Sequence, residues 1–285
     1  MHTFRQALRT QDFTLTAEIV LDEHSDRSSI VAQARKLAEQ VDAIQVTSSP
    51  EKQVHLSPLA TAAILIDAGI DPVMHMNCRD RNRLALASDL LGAAALGVSS
   101  LLLMRGKEFP TGDKPRIKPV YDWSVRRLIT CASEIEDANF LIGSIATAFK
   151  PDRDWKPGKI ASKADAGVKF IQTQLCFDAD LLRHYLARLV SEKLIGRVSV
   201  LVGLAPLPSA DVAQWLGKRL RGAVIPSKVV KRLRQAADAE QEGINICAEM
   251  LQQVVDIPGM SGANLVCLGD HEAVVEAVKC SGIRG

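Results

Sequence analysis

One carboxylic acid stands out among the residues that could do chemistry. Glu18 lies between Ala17 and Ile19, in the first apolar run of the chain. A carboxyl group kept neutral by apolar neighbours can donate a proton to the leaving group of a substrate. His75 and Cys78 form an H-x-x-C pair, but two potential ligands without a third do not predict a metal site. We therefore expect no bound metal here, and Glu18 is a candidate for a functional carboxyl group.

Short β-rich runs alternate with longer runs of helical periodicity along the chain. Strands are predicted near residues 15, 44, 74, 101, 142, 171, 200 and 266, and nearly every one is followed by a helix. Ser57 followed by Pro58 marks one helix start, because proline is favoured at the first helical position. One long helical stretch is predicted over 227–255.

Eight β/α units in 285 residues predict an α/β fold, a (β/α)8 TIM barrel. A doubly wound open sheet is the alternative, but its G-x-G-x-x-G dinucleotide motif is missing. No Pro/Ser-rich linker divides the chain, so we expect a single domain over residues 1–285.

The carboxyl ends of the predicted strands carry a set of polar residues. Catalytic groups of such barrels lie at this end, where the loops that follow the strands converge. The residues in these places are Glu18, Thr47, Ser48, Ser49, His75, Met76, Asn77, Arg105, Gly106, Lys107, Thr147, Gln172, Thr173, Gln174 and Pro206.

The composition excludes several classes of protein. Thirty-five basic and 33 acidic residues leave a net charge of +2, which gives no reason to expect a nucleic-acid partner. The six cysteines are widely spaced without a C-x-x-C pair and are typical of thiols in a reducing compartment. No window approaches the roughly 20 apolar residues of a membrane span, and the amino terminus lacks the apolar core of a signal peptide. We expect a soluble, cytoplasmic protein with no membrane partner.

Six segments in register resemble the methylenetetrahydrofolate reductase family. They are A-E-I at 17–19, V-T-S-S at 46–49, H-M-N-C-R-D at 75–80, L-M-R-G at 103–106, A-D-A-G-V-K-F-I-Q-T-Q-L-C-F-D at 164–178, and the stretch from V-I-P-S to C-A-E at 224–249. The resemblance implies a barrel enzyme of one-carbon metabolism. Such an enzyme uses FAD and a reduced nicotinamide, NAD(P)H, to convert 5,10-methylenetetrahydrofolate to 5-methyltetrahydrofolate.

The resemblance also implies roles for individual residues. Glu18 matches the family's general acid, and Gln174 matches the glutamine that hydrogen-bonds the pterin and faces the nicotinamide. Thr47 matches a threonine near both the nicotinamide and the flavin, so it is a candidate for substrate and cofactor binding. The candidates for flavin contacts are His75, Arg105, Gly106 and Lys163.

Several positions depart from the family pattern. The aspartate of the family's R-G-D segment, which contacts the pterin, is Lys107 here, so we place Lys107 among the substrate-binding candidates. The tyrosine and histidine after the fifth strand are replaced by T-A-F-K-P-D at 147–152. A substrate-facing arginine near the last strand is replaced by Asp270, and an inverted charge pair between Lys107 and Asp270 is one hypothesis.

These departures leave three functional classes open. The first is a folate-dependent reductase, with FAD or with direct hydride transfer from the nicotinamide. The second is a tetrahydrofolate-binding methyltransferase, which could exchange the methyl group with a corrinoid protein. The third is a non-catalytic relative, against which the retained Glu18 and Gln174 argue. A homo-oligomer is also an open expectation, because barrels of this kind often associate through their outer helices.

Overall fold

Eight parallel strands close into a barrel in this protein. The computed structural model describes residues 3–10, 13–48, 54–107, 118–269 and 271–284. The strands pair in chain order, and β1 also pairs with β8. They are β1 Thr14–Glu18, β2 Ala43–Val46, β3 Pro72–Asn77, β4 Ser100–Met104, β5 Leu141–Ala146, β6 Phe170–Leu175, β7 Ser199–Leu204 and β8 Gly262–Leu265. The prediction of a TIM barrel is confirmed.

Among the described residues, one helix precedes the first strand, and the other helices follow the strands and cover the outside of the barrel. They are α1 Phe4–Thr10, α2 Arg27–Ala38, α3 Pro58–Asp67, α4 Arg83–Ala95, α5 Val125–Ser133, α6 Gly158–Asp165, α7 Ala179–Ser191, α8 Ala210–Arg219, α9 Ser227–Gln235, α10 Ala239–Val255 and α11 His271–Ser281. The Ser57 side chain accepts a hydrogen bond from the Ala60 amide, and α3 begins at Pro58, as predicted.

The prediction of one continuous helix over 227–255 is wrong. Helix α9 ends at Gln235, and α10 begins at Ala239. The reason is local: Ala236 takes an extended conformation, and the Asp238 side chain accepts a hydrogen bond from the Gln241 amide. An aspartate in this position caps the start of a new helix, which the hydrophobic periodicity does not reveal.

An apolar layer fills the barrel toward the amino ends of the strands. Its buried members are Phe4, Ala43, Val73, Leu102, Leu141, Phe170 and Leu201. Phe4 comes from α1 and meets Phe170 edge to face, with ring centroids 5.1 Å apart. The Phe170 ring also lies against Gly143, where an added Cβ would come within 2.1 Å of it. Among the described residues this layer closes the bottom of the barrel, and the polar part of the interior lies toward the carboxyl ends of the strands.

The strand alternation places polar side chains above this layer. Successive residues of a strand point to opposite faces. In β1, Leu15 and Ala17 join the core between sheet and helices, so Thr14, Thr16 and Glu18 face the barrel interior. Gln45, His75, Gln172 and Asn264 join them there and are all buried.

Candidate active site

Glu18 is the last residue of β1 and lies at the mouth of the barrel. Its Oε1 accepts a hydrogen bond of 2.9 Å from Asn264 Nδ2 on β8. Burial raises the pKa of Glu18 to about 7, although the Asn264 hydrogen bond and the Lys107 charge act to lower it. Both the protonated and the ionised carboxyl are therefore populated near neutral pH, as proton transfer to a substrate requires.

The raised pKa predicts a pH-dependent contribution to stability. Between the unfolded pKa, about 4.5, and the folded value, about 7, the folded state binds a proton that the unfolded state has lost. The stability that the protonated Glu18 contributes is therefore still largely present at pH 5, falls as the pH rises toward 7, and is lost above the folded pKa. We expect Glu18→Gln to be more stabilising at pH 8 than at pH 5, by about 2 kcal/mol.

Urea unfolding of both proteins at the two pH values measures this difference. Glu23→Gln is the control, because the Glu23 side chain is 74% exposed. Equal effects of Glu18→Gln at pH 5 and pH 8 would contradict the prediction.

A hydrogen-bonded network inside the barrel leads to Glu18. His75 Nε2 lies 2.7 Å from Gln45 Oε1, and Gln45 Nε2 donates to Thr16 Oγ1 and to Gln172 Oε1 at 2.8 Å each. Thr16 Oγ1 donates to Asn264 Oδ1 at 2.8 Å, and Asn264 donates to Glu18.

The sequence analysis did not predict three members of this network, Thr16, Gln45 and Asn264. Residues two positions apart in a strand point to the same face. Thr16 lies two positions before Glu18 and Gln45 two positions before Thr47, so this spacing could have identified both residues.

His75 belongs to this network. It does not line the cavity of about 1250 Å³ at the mouth of the barrel. Its side chain is 5% exposed, one layer below the barrel mouth. Burial lowers the pKa of His75 to about 3, so the imidazole is neutral at physiological pH. Its role as a flavin contact stays a prediction.

A cavity of about 1250 Å³ opens at the carboxyl ends of β4, β5 and β6. Of the residues predicted to bind substrate or cofactor, five line it: Arg105, Gly106, Lys107, Lys163 and Gln174. Eight basic side chains lie in its wall, namely Arg79, Arg105, Lys107, Lys156, Lys159, Lys163, Arg219 and Arg221, and no aspartate or glutamate of the described residues does. Such a wall favours an anionic ligand.

Two predicted site residues, Glu18 and the half-buried Thr47, do not line this cavity. The Lys107 charge nevertheless acts to lower the pKa of Glu18.

Aromatic side chains form one side of the cavity. The rings of Phe149 and Trp155 meet edge to face with centroids 5.0 Å apart, and the Tyr185 ring lies 5.9 Å from each of them. Both Phe149 and Trp155 follow β5, and Phe149 belongs to the segment 147–152, whose sequence departs from the family pattern. The cavity thus combines a basic wall with an aromatic one, which suits a ligand that has both charged and planar parts.

Lys163 reaches the cavity from α6. Its Nζ donates to the Ile145 carbonyl oxygen at 2.6 Å, at the end of β5. Burial, and secondarily the charge of Lys159, lowers the pKa of Lys163. The ammonium group is therefore fixed at the barrel mouth and is easier to deprotonate than a solvated lysine.

The Arg105–Gly106–Lys107 turn is held by its own neighbours. The Arg105 guanidinium stacks on the Tyr121 ring at 4.0 Å, and the Tyr121 hydroxyl donates to the Gly106 carbonyl at 3.3 Å. Gly106 has a φ of +84°, and an added Cβ would lie 2.7 Å from Arg79 Cβ. The glycine is required by the backbone turn and by Arg79, whether or not a cofactor contacts it.

Two positions of the sequence analysis, Ser49 and Asp270, lie outside the described residues. The hypothesis of a charge pair between Lys107 and Asp270 thus stays a hypothesis. In the part of the chain that the structure describes, no three His, Cys, Asp or Glu side chains are grouped as a metal site would need. Within the same residues, no helix has the length and apolar character needed to cross a membrane.

The sequence model of the methylenetetrahydrofolate reductase family matches residues 3–282. The chain belongs to this family. A probable methylenetetrahydrofolate reductase (NADPH) from Caenorhabditis elegans is 24% identical over 241 residues. The match covers 80% of this chain and 35% of the nematode protein, so the chain spans about a third of that relative's length.

Two solved structures are similar to this family member in fold. One is an uncharacterised protein from Clostridium thermocellum that binds two copies of 5-methyl-5,6,7,8-tetrahydrofolic acid; its TM-score is 0.70 at 10% identity, over 97% of this chain and 96% of that chain. The other is 2,3-dimethylmalate lyase of the PEP mutase/isocitrate lyase superfamily, with a TM-score of 0.52 at 13% identity over 96% and 82% of the two chains. Both support the barrel fold.

Proposed function

We propose that this protein reduces 5,10-methylenetetrahydrofolate to 5-methyltetrahydrofolate with a reduced nicotinamide, and that Glu18 is the general acid. The observation that carries the proposal is the half-buried Glu18 carboxyl, whose pKa is about 7 at the mouth of the barrel. The closed five-membered ring of the substrate opens to an iminium before it accepts a hydride, so an acid must protonate the departing nitrogen. Membership of the family supports the same reaction.

The folate binds, in this proposal, between Glu18 and the cavity wall. Gln174 offers an amide that both donates and accepts hydrogen bonds, as a pterin ring requires. Lys107 lines the cavity, and its charge acts to lower the pKa of Glu18. Thr47 follows β2 at the mouth. That a protein with the same fold binds 5-methyltetrahydrofolate supports a folate ligand here.

The basic cavity fits the flavin cofactor that the family implies. A wall of lysine and arginine without a described carboxylate suits the diphosphate of FAD, and the aromatic side chains offer planar surfaces. Arg105 and Lys163 would hold the cofactor. Gly106 would let the main chain of the turn approach it closely, and Lys159 would add a positive charge near its phosphates. FAD held by these residues would supply the means of passing a hydride from the nicotinamide to the folate.

Removing one cation from this wall is expected to weaken FAD binding. Lys163→Met keeps the apolar stem but removes the ammonium group at the barrel mouth. We expect roughly tenfold weaker binding, because a partly buried charge interacts strongly with a phosphate. Titration of the purified protein with FAD, followed by flavin absorbance and fluorescence, measures the affinity. Lys169→Met is the control, because Lys169 is exposed outside the cavity; equal affinities for the two variants would contradict the prediction.

Methyl transfer to or from tetrahydrofolate is the second candidate. Lys107 favours it, because a cation stands where the reductases of the family have an acid beside the pterin. In this case a corrinoid protein would be the partner, and no nicotinamide would be consumed.

Two measurements separate the candidates. The visible spectrum before and after addition of FAD tests for flavin, and NADH or NADPH oxidation in the presence of methylenetetrahydrofolate tests for reduction. A protein that binds tetrahydrofolate but consumes no nicotinamide would overturn the reductase proposal in favour of methyl transfer.

A further inference from the structure

Gln45 is the branching point of the network beneath the active site. It is fully buried on β2, and its single amide group contacts β1, β3 and β6 through Thr16, His75 and Gln172. All three contacts are 2.7–2.8 Å long. Rotating this amide by half a turn would bring its oxygen against Gln172 Oε1, so the Gln172 side chain selects one orientation of Gln45.

This orientation determines the direction of every hydrogen bond in the network. Gln45 Nε2 donates twice, so Gln45 Oε1 faces His75, and His75 Nε2 must carry the ring proton. Thr16 accepts from Gln45 and donates to Asn264 Oδ1, which leaves Asn264 Nδ2 to donate to Glu18 Oε1. The Asn264 amide therefore cannot turn its oxygen toward Glu18 without removing the acceptor of the Thr16 hydroxyl proton.

The network consequently affects where Glu18 holds its proton. Because Glu18 Oε1 accepts from Asn264, the acid proton belongs on Oε2. The groups on the strands beside β1 are neutral amides, Gln45 on β2 and Asn264 on β8, and Lys107 after β4 supplies the charge that acts on Glu18. Threonine and amide side chains do not titrate near neutral pH, so none of these hydrogen-bond partners takes up or releases a proton in the range where Glu18 does.

We propose that Gln45 and Thr16 are positioning residues for Glu18, which orient Asn264 so that Glu18 presents its acid proton on Oε2 toward the mouth. The proposal deepens the proposed function and rests on it for the role of Glu18 as proton donor. Thr14 offers the matched comparison. It is fully buried on the same face of β1, but its hydroxyl has no hydrogen-bond partner among the described residues.

The test compares Thr16→Val with Thr14→Val, the same isosteric change two residues apart. Loss of the Thr16 hydroxyl lets Asn264 turn its oxygen toward the protonated carboxyl, so we expect the pKa of Glu18 to rise by roughly half a unit to one unit. Thr14→Val should leave it unchanged, and Thr16→Ser should restore it. Carbon-13 NMR of labelled glutamate measures this pKa, and the pH profile of kcat/KM should shift with it.

The outcomes distinguish this proposal from the proposed function. Equal Glu18 pKa values in Thr16→Val and Thr14→Val would overturn the positioning role and leave the reductase activity untouched. Absence of folate reduction by the wild-type protein would overturn the reaction, while the Glu18 titration still reports on the network. Nitrogen-15 NMR of His75 in the wild-type protein needs no variant; a proton on Nδ1 in place of Nε2 would also overturn the proposal.

Discussion

Replacement of Glu18 by glutamine is expected to lower kcat for methylenetetrahydrofolate reduction by a factor of roughly 10² to 10⁴. Glutamine keeps an oxygen that can accept the Asn264 hydrogen bond, so the fold and the network should be preserved. It cannot donate an acid proton, and the folate ring would have to open without protonation. We therefore expect the loss in kcat, with folate affinity changed only a few fold.

The pH dependence gives this prediction a second readout. Because the acid form of Glu18 is the active one, wild-type kcat/KM should fall as the pH rises through about 7. The residual activity of Glu18→Gln should lack this fall. Initial rates of NADH or NADPH oxidation between pH 5.5 and pH 9 (roughly the range in which the carboxyl titrates) measure both effects. Glu23→Gln is the control, since its side chain is exposed; more than a tenth of wild-type activity in Glu18→Gln would rule out the general acid role.

Replacement of Phe170 by alanine is expected to lower the free energy of unfolding by about 3–5 kcal/mol. Phe170 is fully buried at the start of β6, in contact with Phe4 and with the backbone of Gly143. Phe4 lies on α1 and Gly143 on the adjacent strand β5, so the main chain on which each is held limits how far it can move in. A cavity would therefore remain at the bottom of the barrel. Urea denaturation measures the change.

Gly143 provides a stringent check on this packing. Gly143→Ala alone would place a Cβ 2.1 Å from the Phe170 ring and should destabilise strongly. In the Phe170→Ala background the same methyl group has room, so the two effects should be far from additive. Phe149→Ala is the control for loss of a phenylalanine, because Phe149 is 37% exposed. Additive effects at positions 143 and 170 would show that the ring does not occupy this space.

Local features of the chain were sufficient to predict the fold. The alternation of strands and helices depends on neighbouring residues, as do the Ser57–Pro58 helix start and the strand end at Glu18. Eight such units close into a barrel through general rules of chain connection, so no distant contact had to be known. The Asp238 cap is also local, but a single aspartate in an apolar periodic stretch is a weak signal.

The depth of each polar residue within the barrel depended instead on contacts between distant parts of the chain. Thr16 and Asn264 are 248 residues apart in sequence, and Gln45 and Gln172 are 127 apart, yet each pair is joined by a hydrogen bond. The register between neighbouring strands placed His75 in the buried layer and Glu18 at the mouth, although both were predicted at the ends of strands. Burial then raised the pKa of Glu18, because desolvation depends on every element around a group and is not encoded by its neighbours in sequence.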